Sequence, residues 1–279
     1  MCKHKLCLFC SYQLWSHQAQ YQQKLSVNCE HSKVPSAFPF DIGYQVFSFN
    51  TAISQADAEE LEFNIRGQSS NEQWRNEHLR RITASNFGLV CRKVKTFDKH
   101  PDVDSCVPKT FLNTVYKQNS FNSSATRYGL EHENIAFSDY CKLTGSHVHP
   151  CGLVVNPTAP FLGASPDGIV CSLGVTGAIE VKCPYAVKAE LINDVISSGR
   201  QFHLEKLASS SEIVLKRKHN YYFQVQGQLM ITGFPFCDFV TYTSKGLHVD
   251  HILPDLNFMK EMYTCLYKFH HGYAADYLK

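Results

Sequence analysis

Two stretches decide the fold class: Ser165-Pro166-Asp167-Gly168-Ile169-Val170 and Ala178-Ile179-Glu180-Val181-Lys182-Cys183-Pro184. Each is a short apolar run typical of a buried strand, and each carries acidic residues where apolar ones are expected. Because side chains alternate along a strand, Glu180 and Lys182 share one face, while Ile179 and Val181 share the other. Asp167 lies in a Pro-Asp-Gly sequence that favours a turn. A charged face of this kind is unusual only in a strand that is covered on both sides.

This arrangement of carboxylates and lysine points to metal-dependent phosphodiester hydrolysis. Mg²⁺ prefers oxygen ligands, which Asp167 and Glu180 would supply, with the carbonyl oxygen of Val181 as a third. Lys182 would position the attacking water and help to deprotonate it, while the metal polarises the scissile phosphate. Spacing alone leaves a second interpretation open, a hairpin turn followed by an exposed Glu and Lys pair.

Periodicity in the rest of the chain predicts helices and short strands, without an internal repeat. The predicted helices begin near Ser54, at a capping box around Ser70, and after Thr83 with Phe87 and Val90 inward, and cover 111–116, 125–143, 221–232 and 258–269. In the helix over 125–143 the inward residues are Tyr128, Ile135, Ala136 and Tyr140. The predicted strands cover 152–155, 161–163, 168–171, 177–182, 237–243 and 247–253. The sum is an α/β fold with a central mixed β-sheet flanked by helices.

The residues over 162–168 and 179–185 resemble the core of the lambda exonuclease and YqaJ-like viral recombinase family, a restriction-endonuclease-like branch of the PD-(D/E)xK superfamily. Three further motifs match this family in the same order: Arg81-Ile82-Thr83-Ala84-Ser85-Asn86-Phe87-Gly88, Gly129-Leu130-Glu131-His132-Glu133-Asn134-Ile135-Ala136 and Tyr221-Tyr222-Phe223-Gln224-Val225-Gln226. The resemblance covers residues 62–272. It implies a restriction-endonuclease-like core and a metal-dependent DNA nuclease, an exonuclease linked to recombination or mobile-element processing.

The resemblance also implies roles for individual residues. The implied catalytic residues are Glu133, Asp167, Glu180, Lys182 and Gln226, and the implied metal ligands are Glu133, Asp167, Glu180 and Val181. Ser85, Ser165, Tyr221 and Gln224 would contact DNA or its phosphates. Gln224 and Gln226 lean to opposite sides of one helix, and of the two we favour Gln226 for the cleft. The implied cofactor is Mg²⁺, with Mn²⁺ as a substitute.

Two alternatives to an exonuclease remain. One is a catalytically silent DNA-binding module derived from such a nuclease, against which the intact Asp167, Glu180 and Lys182 argue. The other is an endonuclease or nickase with the same chemistry. Outside the ordered motifs, Glu133 and Ser85 would be ordinary helix residues.

The first 60 residues differ in composition, so we divide the chain into a cysteine-containing segment over 1–60 and a nuclease domain over 61–279. Cys7, Cys10, Cys29 and His31 are candidate Zn²⁺ ligands, although their spacing is not that of a standard finger. Cys2-Lys3-His4 resembles the second half of a SWIM-type zinc finger, in which case Met1 lies within a longer protein. The simpler alternative is a set of buried thiols.

Bulk composition restricts the environment of the protein. The chain has 279 residues, and 44% of them are hydrophobic. No apolar run approaches the roughly 20 residues that span a bilayer, so we expect no membrane partner. The N-terminus is a poor signal peptide, so we expect an intracellular protein, nuclear in a eukaryote, with reduced cysteines. The net charge of +2 does not by itself indicate that the protein binds DNA. Basic residues nevertheless cluster over 75–95 and 216–218. Ring-forming relatives allow a homo-oligomer, and recombination implies a partner protein.

Overall fold

The computed structural model describes residues 34–43, 51–66, 72–99, 107–116, 123–172, 174–274 and 277. Its helices are α1 (Gln55–Asn64), α2 (Glu72–His78), α3 (Phe87–Lys99), α4 (Lys109–Tyr116), α5 (Ser124–Thr144), α6 (Ile192–Ser197), α7 (Asn220–Thr232) and α8 (Leu256–Phe269). Its strands are β1 (Ile82–Thr83), β2 (His147–His149), β3 (Leu162–Gly163), β4 (Gly168–Ser172), β5 (Val175–Lys182), β6 (Leu204–Lys206), β7 (Ile213–Leu215), β8 (Cys237–Thr243) and β9 (Gly246–Ile252). Short 3₁₀ turns cover Ala84–Asn86 and Tyr185–Val187, and a π-helical turn covers His270–Ala274.

A five-stranded sheet with the order β2-β4-β5-β8-β9 forms the centre of the molecule. Neighbouring strands are antiparallel except β5 and β8, which are parallel. Within the described ranges, β1 with β3 and β6 with β7 form two small additional pairs. The predicted fold class, α/β with a central mixed sheet flanked by helices, is therefore confirmed.

The two faces of the sheet belong to different hydrophobic clusters. Ala178 of β5 lies opposite Cys237 of β8, and both contribute to the larger cluster, which also takes in residues of α3, α7 and α8. Ile179 and Val181 contribute to the smaller cluster, which takes in residues of α5. Strand β5 is therefore covered on both sides, and its side chains divide between the two clusters by alternation. Glu180 and Lys182 follow Ala178 and lie on the side of α7.

Helix α5 is fixed at its ends and along its length. Ser123 caps its start, and Gly145 ends it in a left-handed conformation at φ 69°, where a residue without a Cβ has no steric cost. Near its C-terminal end, the buried Tyr140 hydroxyl donates to the carboxylate of Asp238 on β8. Nδ1 of His251 on β9 lies 2.6 Å from the other oxygen of Asp238. This Tyr140–Asp238–His251 cluster ties α5 to the sheet.

Two details of the predicted elements are wrong. Ile135 is 45% exposed, whereas Ala136 is fully buried, because successive helix residues are rotated by about 100° and only one of the two faces the sheet. The run over 152–155 is not a strand of the sheet but makes an isolated bridge between Val154 and Ala164. Gly152 lets this run approach α1 closely, since a Cβ there would lie 2.0 Å from the carbonyl oxygen of Glu62.

The start of the described chain packs on the body of the protein. Val34, Phe38, Phe40 and Ile42 lie against the larger cluster, and the Ser36 amide donates to the carbonyl oxygen of Thr232 at 2.8 Å. The predicted domain boundary between residues 60 and 61 falls inside α1, and this division stays a prediction. The cysteines proposed as Zn²⁺ ligands and the capping box at Ser70 lie outside the described residues.

Candidate active site

Glu180 is the centre of a hydrogen-bonded cluster. Although it carries a carboxylate, it is 1% exposed. Its Oε1 accepts from the ammonium of Lys182 and, at 2.5 Å, from Nε2 of Gln224. Its Oε2 accepts from Nε2 of Gln228 at 2.6 Å. A buried carboxylate of this kind requires such donors, because burial without them costs several kcal/mol.

Asp167 reaches the same region from the turn before β4. Its Oδ2 accepts a 2.7 Å hydrogen bond from the backbone amide of Val181, the residue that follows Glu180 on β5. Gly168 permits the close approach of β2, since a Cβ there would lie 2.6 Å from Cγ1 of Val148. The turn thus places the carboxylate of Asp167, just before β4, against the backbone of the neighbouring strand β5.

Glu133 of α5 adds a third acidic group. Burial raises its pKa, and so does the negative charge of Glu180. The pKa of Asp167 is also raised, first by burial and then by Glu180, with a smaller contribution from Glu133. Three carboxylates therefore share one electrostatic environment with a single lysine.

Lys182 is the cation of this cluster. Burial alone would lower the pKa of its ammonium, but Glu180 and Asp167 outweigh burial and raise it. The ammonium lies 5.1 Å from the ring centroid of Tyr221 on α7, within cation–π range. Lys182 is therefore held in its charged form, as a donor.

The carboxylates fit a divalent cation in chemistry, although not in their present side-chain positions. Hard oxygen donors that repel one another are what Mg²⁺ or Mn²⁺ would neutralise. As the side chains stand, however, no group of three His, Cys, Asp or Glu residues within the described chain could hold a metal ion. Protein donors contact both oxygens of Glu180, so a bound metal would share this carboxylate with them or displace one, for which the salt bridge from Lys182 is the natural candidate.

The placement of Gln226 in the cleft, predicted from the sequence, is wrong. Its Nε2 donates to the carbonyl oxygen of Leu253 at 2.9 Å, and its Oε1 accepts from the amide of Asp255 at 2.8 Å. Both ends of its amide therefore stabilise the chain between β9 and α8. Gln224 faces Glu180 instead, and Gln228, which sequence reasoning missed, faces it too. The sequence feature that could have identified Gln228 is its separation of four residues from Gln224, which places the two on one side of a helix.

The predicted phosphate contacts lie in three parts of the fold: the 3₁₀ turn over Ala84–Asn86, the turn before β4, and α7 itself. Ser85 is exposed in the 3₁₀ turn that leads into α3, with its hydroxyl 3.2 Å from that of Thr83. Gly227 lets this turn approach α7, since a Cβ there would lie 2.4 Å from Cδ2 of Phe87. Ser165, beside Asp167, accepts a 3.3 Å hydrogen bond from the indole of Trp74.

Two basic residues of the predicted cluster over 75–95 differ in exposure. Arg81 is 3% exposed, donates to the carbonyl oxygen of Pro160 and pairs with Glu77, so it stabilises the fold. Arg92 instead lies on the surface of α3, where its guanidinium donates to Asn220 at the start of α7.

Residues 73–235 match the model of the YqaJ-like viral recombinase domain. The match covers more than half of the chain and includes every predicted site residue. This chain belongs to the YqaJ-like viral recombinase family. No curated protein matches it.

Solved structures with a similar fold include two of an alkaline exonuclease from Laribacter hongkongensis. One is 24% identical with a TM-score of 0.52, and the match covers 74% of this chain and 94% of that chain. The other, a complex with dAMP, is 25% identical with the same TM-score and coverage. A SOX–DNA complex is 12% identical over 79% of this chain and 71% of that chain, with a TM-score of 0.54. Within the described residues of this chain, no helix has the length and apolarity needed to cross a membrane.

Proposed function

We propose that this chain is a divalent-metal-dependent DNA nuclease that hydrolyses phosphodiester bonds. The observation that carries the proposal is the cluster of Glu133, Asp167 and Glu180 around the protonated Lys182. An acidic cluster with one lysine is costly for stability, and phosphoryl transfer is a reaction that uses such a combination.

The three carboxylates would hold Mg²⁺, or Mn²⁺ in its place, with the carbonyl oxygen of Val181 as a further ligand. A bound cation would supply Lewis acidity to the scissile phosphate and would lower the pKa of a water molecule. Lys182 would release Glu180 and donate a hydrogen bond that orients this water for in-line attack. The water oxygen then bonds to phosphorus and one P–O ester bond breaks. The proton that water loses balances the one that the leaving alkoxide gains.

The substrate we propose is DNA, degraded from an end, during recombination or mobile-element processing. Family membership supports this choice, and the similar fold of an alkaline exonuclease agrees with it. Ser85 at a helix start and Ser165 beside Asp167 would contact backbone phosphates. Tyr221 and Gln224 line the same side of α7 as the cluster and would border the DNA.

A substrate comparison tests the proposal. Purified protein is incubated with linear and with covalently closed circular DNA, in Mg²⁺ or in EDTA. We expect linear DNA to be degraded only with Mg²⁺, and Glu180→Gln to lower the rate by at least about 10³-fold, the upper end for one preorganised electrostatic group.

Asp238→Asn is the matched control, since it also converts a buried carboxylate of the same sheet into an amide and should retain the rate. Equal rates for wild type and Glu180→Gln on every substrate would contradict the proposal of a nuclease active site at Glu180. The alternative of a catalytically silent DNA-binding module would then remain. Cleavage of the circle would instead indicate an endonuclease or nickase.

A further inference from the structure

Gln228 is a fully buried amide whose two ends are treated differently. Its exposed fraction is 0%, and its Nε2 donates to Oε2 of Glu180 at 2.6 Å. Its own Oε1 is buried and has no hydrogen-bond partner. The amide nitrogen of Gln228 therefore donates a hydrogen bond to the acidic cluster, whereas its carbonyl oxygen accepts none.

The carbonyl end of Gln228 is unfavourable for folding. A buried carbonyl oxygen without a donor destabilises the folded state, because it loses the hydrogen bonds that it makes to water in the unfolded chain. The neighbouring residues Val225, Leu229 and Met230 are apolar and fully buried, so an apolar residue at position 228 would avoid this cost but would leave Oε2 of Glu180 without its donor. The contact with Glu180 is what a glutamine provides there and an apolar side chain does not.

The three donors to Glu180 differ in how firmly they are held. Lys182 and Gln224 are half-buried and share Oε1. Gln228 alone holds Oε2, from inside the core. When Lys182 turns toward the attacking water, as the proposed function requires, Gln228 still fixes the plane of the carboxylate.

We infer that Gln228 is a positioning residue that orients the carboxylate of Glu180 and thereby sets the affinity of the site for its divalent cation. The inference rests on the proposed function, because it concerns the same carboxylate. Gln228 touches neither DNA nor metal and acts through Glu180.

Gln226 supplies a matched control on the same helix. It is equally buried, at 0% exposure, and carries the same side chain. Its amide is engaged at both ends, with Leu253 and Asp255, and faces away from Glu180. Replacing it removes two hydrogen bonds from the fold and none from the acidic cluster.

The experiment compares Gln228→Met with Gln226→Met. Methionine retains the unbranched shape and removes the amide. Titration calorimetry with Mn²⁺, without DNA, measures the dissociation constant, and the nuclease rate is measured against Mg²⁺ concentration. For Gln228→Met we expect Mn²⁺ binding weakened by about 10–100-fold, as for other groups that orient metal ligands, and a rate that recovers at high Mg²⁺. For Gln226→Met we expect wild-type Mn²⁺ binding and lower thermal stability.

Wild-type Mn²⁺ binding by Gln228→Met, or equal weakening in both variants, would overturn the inference. If Gln228→Met does not fold, Gln228→Asn replaces it, because asparagine keeps an amide in the core but is too short to reach Oε2 of Glu180. We expect the same weakening of Mn²⁺ binding in this variant. Glu180→Gln separates the two proposals. If it binds Mn²⁺ as the wild type does, the proposed metal site itself is wrong, whatever position 228 does.

Discussion

The central sheet contains two buried carboxylates, Glu180 on β5 and Asp238 on β8, that serve different purposes. They project from opposite faces, because Asp238 lies opposite Ile179 in the register and Glu180 lies opposite Phe239. Both accept hydrogen bonds on each of their oxygens. The presence of a donor on each oxygen therefore does not distinguish them.

Their charged neighbours do distinguish them. Asp238 is held by Tyr140 and by His251, whose pKa it raises through their hydrogen bond. Glu180 lies among acidic groups, and it helps to raise the pKa of Glu133 and of Asp167. The carboxylate at the structural position is matched by its partners, whereas the one at the candidate site belongs to a group with excess negative charge. A cluster of like charges that lowers stability and is nevertheless present in the protein indicates a functional site.

The largest expected effect on stability comes from the structural carboxylate. Tyr140→Phe removes a buried donor from Asp238, and we expect the free energy of unfolding to fall by about 2 kcal/mol, as for other hydrogen bonds to charged groups. Urea denaturation measures this change. The nuclease rate of the folded variant should be unchanged. A loss of rate without a loss of stability would mean that the two carboxylates are not separate in function.

A smaller effect of opposite sign is expected at the candidate site. Glu133→Gln removes one of the repelling charges, so in EDTA we expect the free energy of unfolding to rise. The rise should be under about 1 kcal/mol, because Glu133 is half-buried and solvent screens its charge. The folded-state pKa of Glu133 is raised, so the wild type loses stability as pH rises from its ordinary pKa of about 4.3 through the raised value. Glu133→Gln should reduce this loss.

Denaturation at a series of pH values, with Glu131→Gln on the exposed side of the same helix as control, measures the effect. If Glu133→Gln destabilises the metal-free protein, the excess charge inferred for the cluster is wrong. Its nuclease activity should fall even as its stability rises.

The smallest effect concerns His251. The hydrogen bond to Asp238 raises its pKa, against burial that lowers it, with Asp250 also contributing. Its stabilisation is therefore fully present below the ordinary pKa of about 6.5 and is lost as pH rises through the raised value. Because the side chain is 57% exposed, the change is small. His251→Gln should flatten the pH dependence of the free energy of unfolding in this window, and an unchanged slope would contradict the pairing.

Much of the fold and part of the site could be predicted from local sequence. Alternation over residues 178–182 predicted β5 and the shared side of Glu180 and Lys182, and the Pro-Asp-Gly turn predicted the start of β4. Strands β1, β2, β6 and β7 were missed, because two or three residues are too few to show a period.

The choice among the glutamines of α7 shows where sequence reasoning stops. Gln224, Gln226 and Gln228 all lie in a predicted helix, and the period states only that Gln224 and Gln228 share a side that Gln226 does not. Which side faces β5 depends on the rotation of α7. That rotation is set by packing, in particular by the close approach of Gly227 to Phe87.

The sequence by itself determined the class of the fold, the family and the residues at the centre of the candidate site, because these depend on local alternation and on ordered motifs. Only the tertiary structure decided that Gln226 stabilises the chain before α8 and that Gln228 holds Glu180 from the core. The reason is that such contacts join residues far apart in the chain, whose relative positions depend on how helices pack on a sheet.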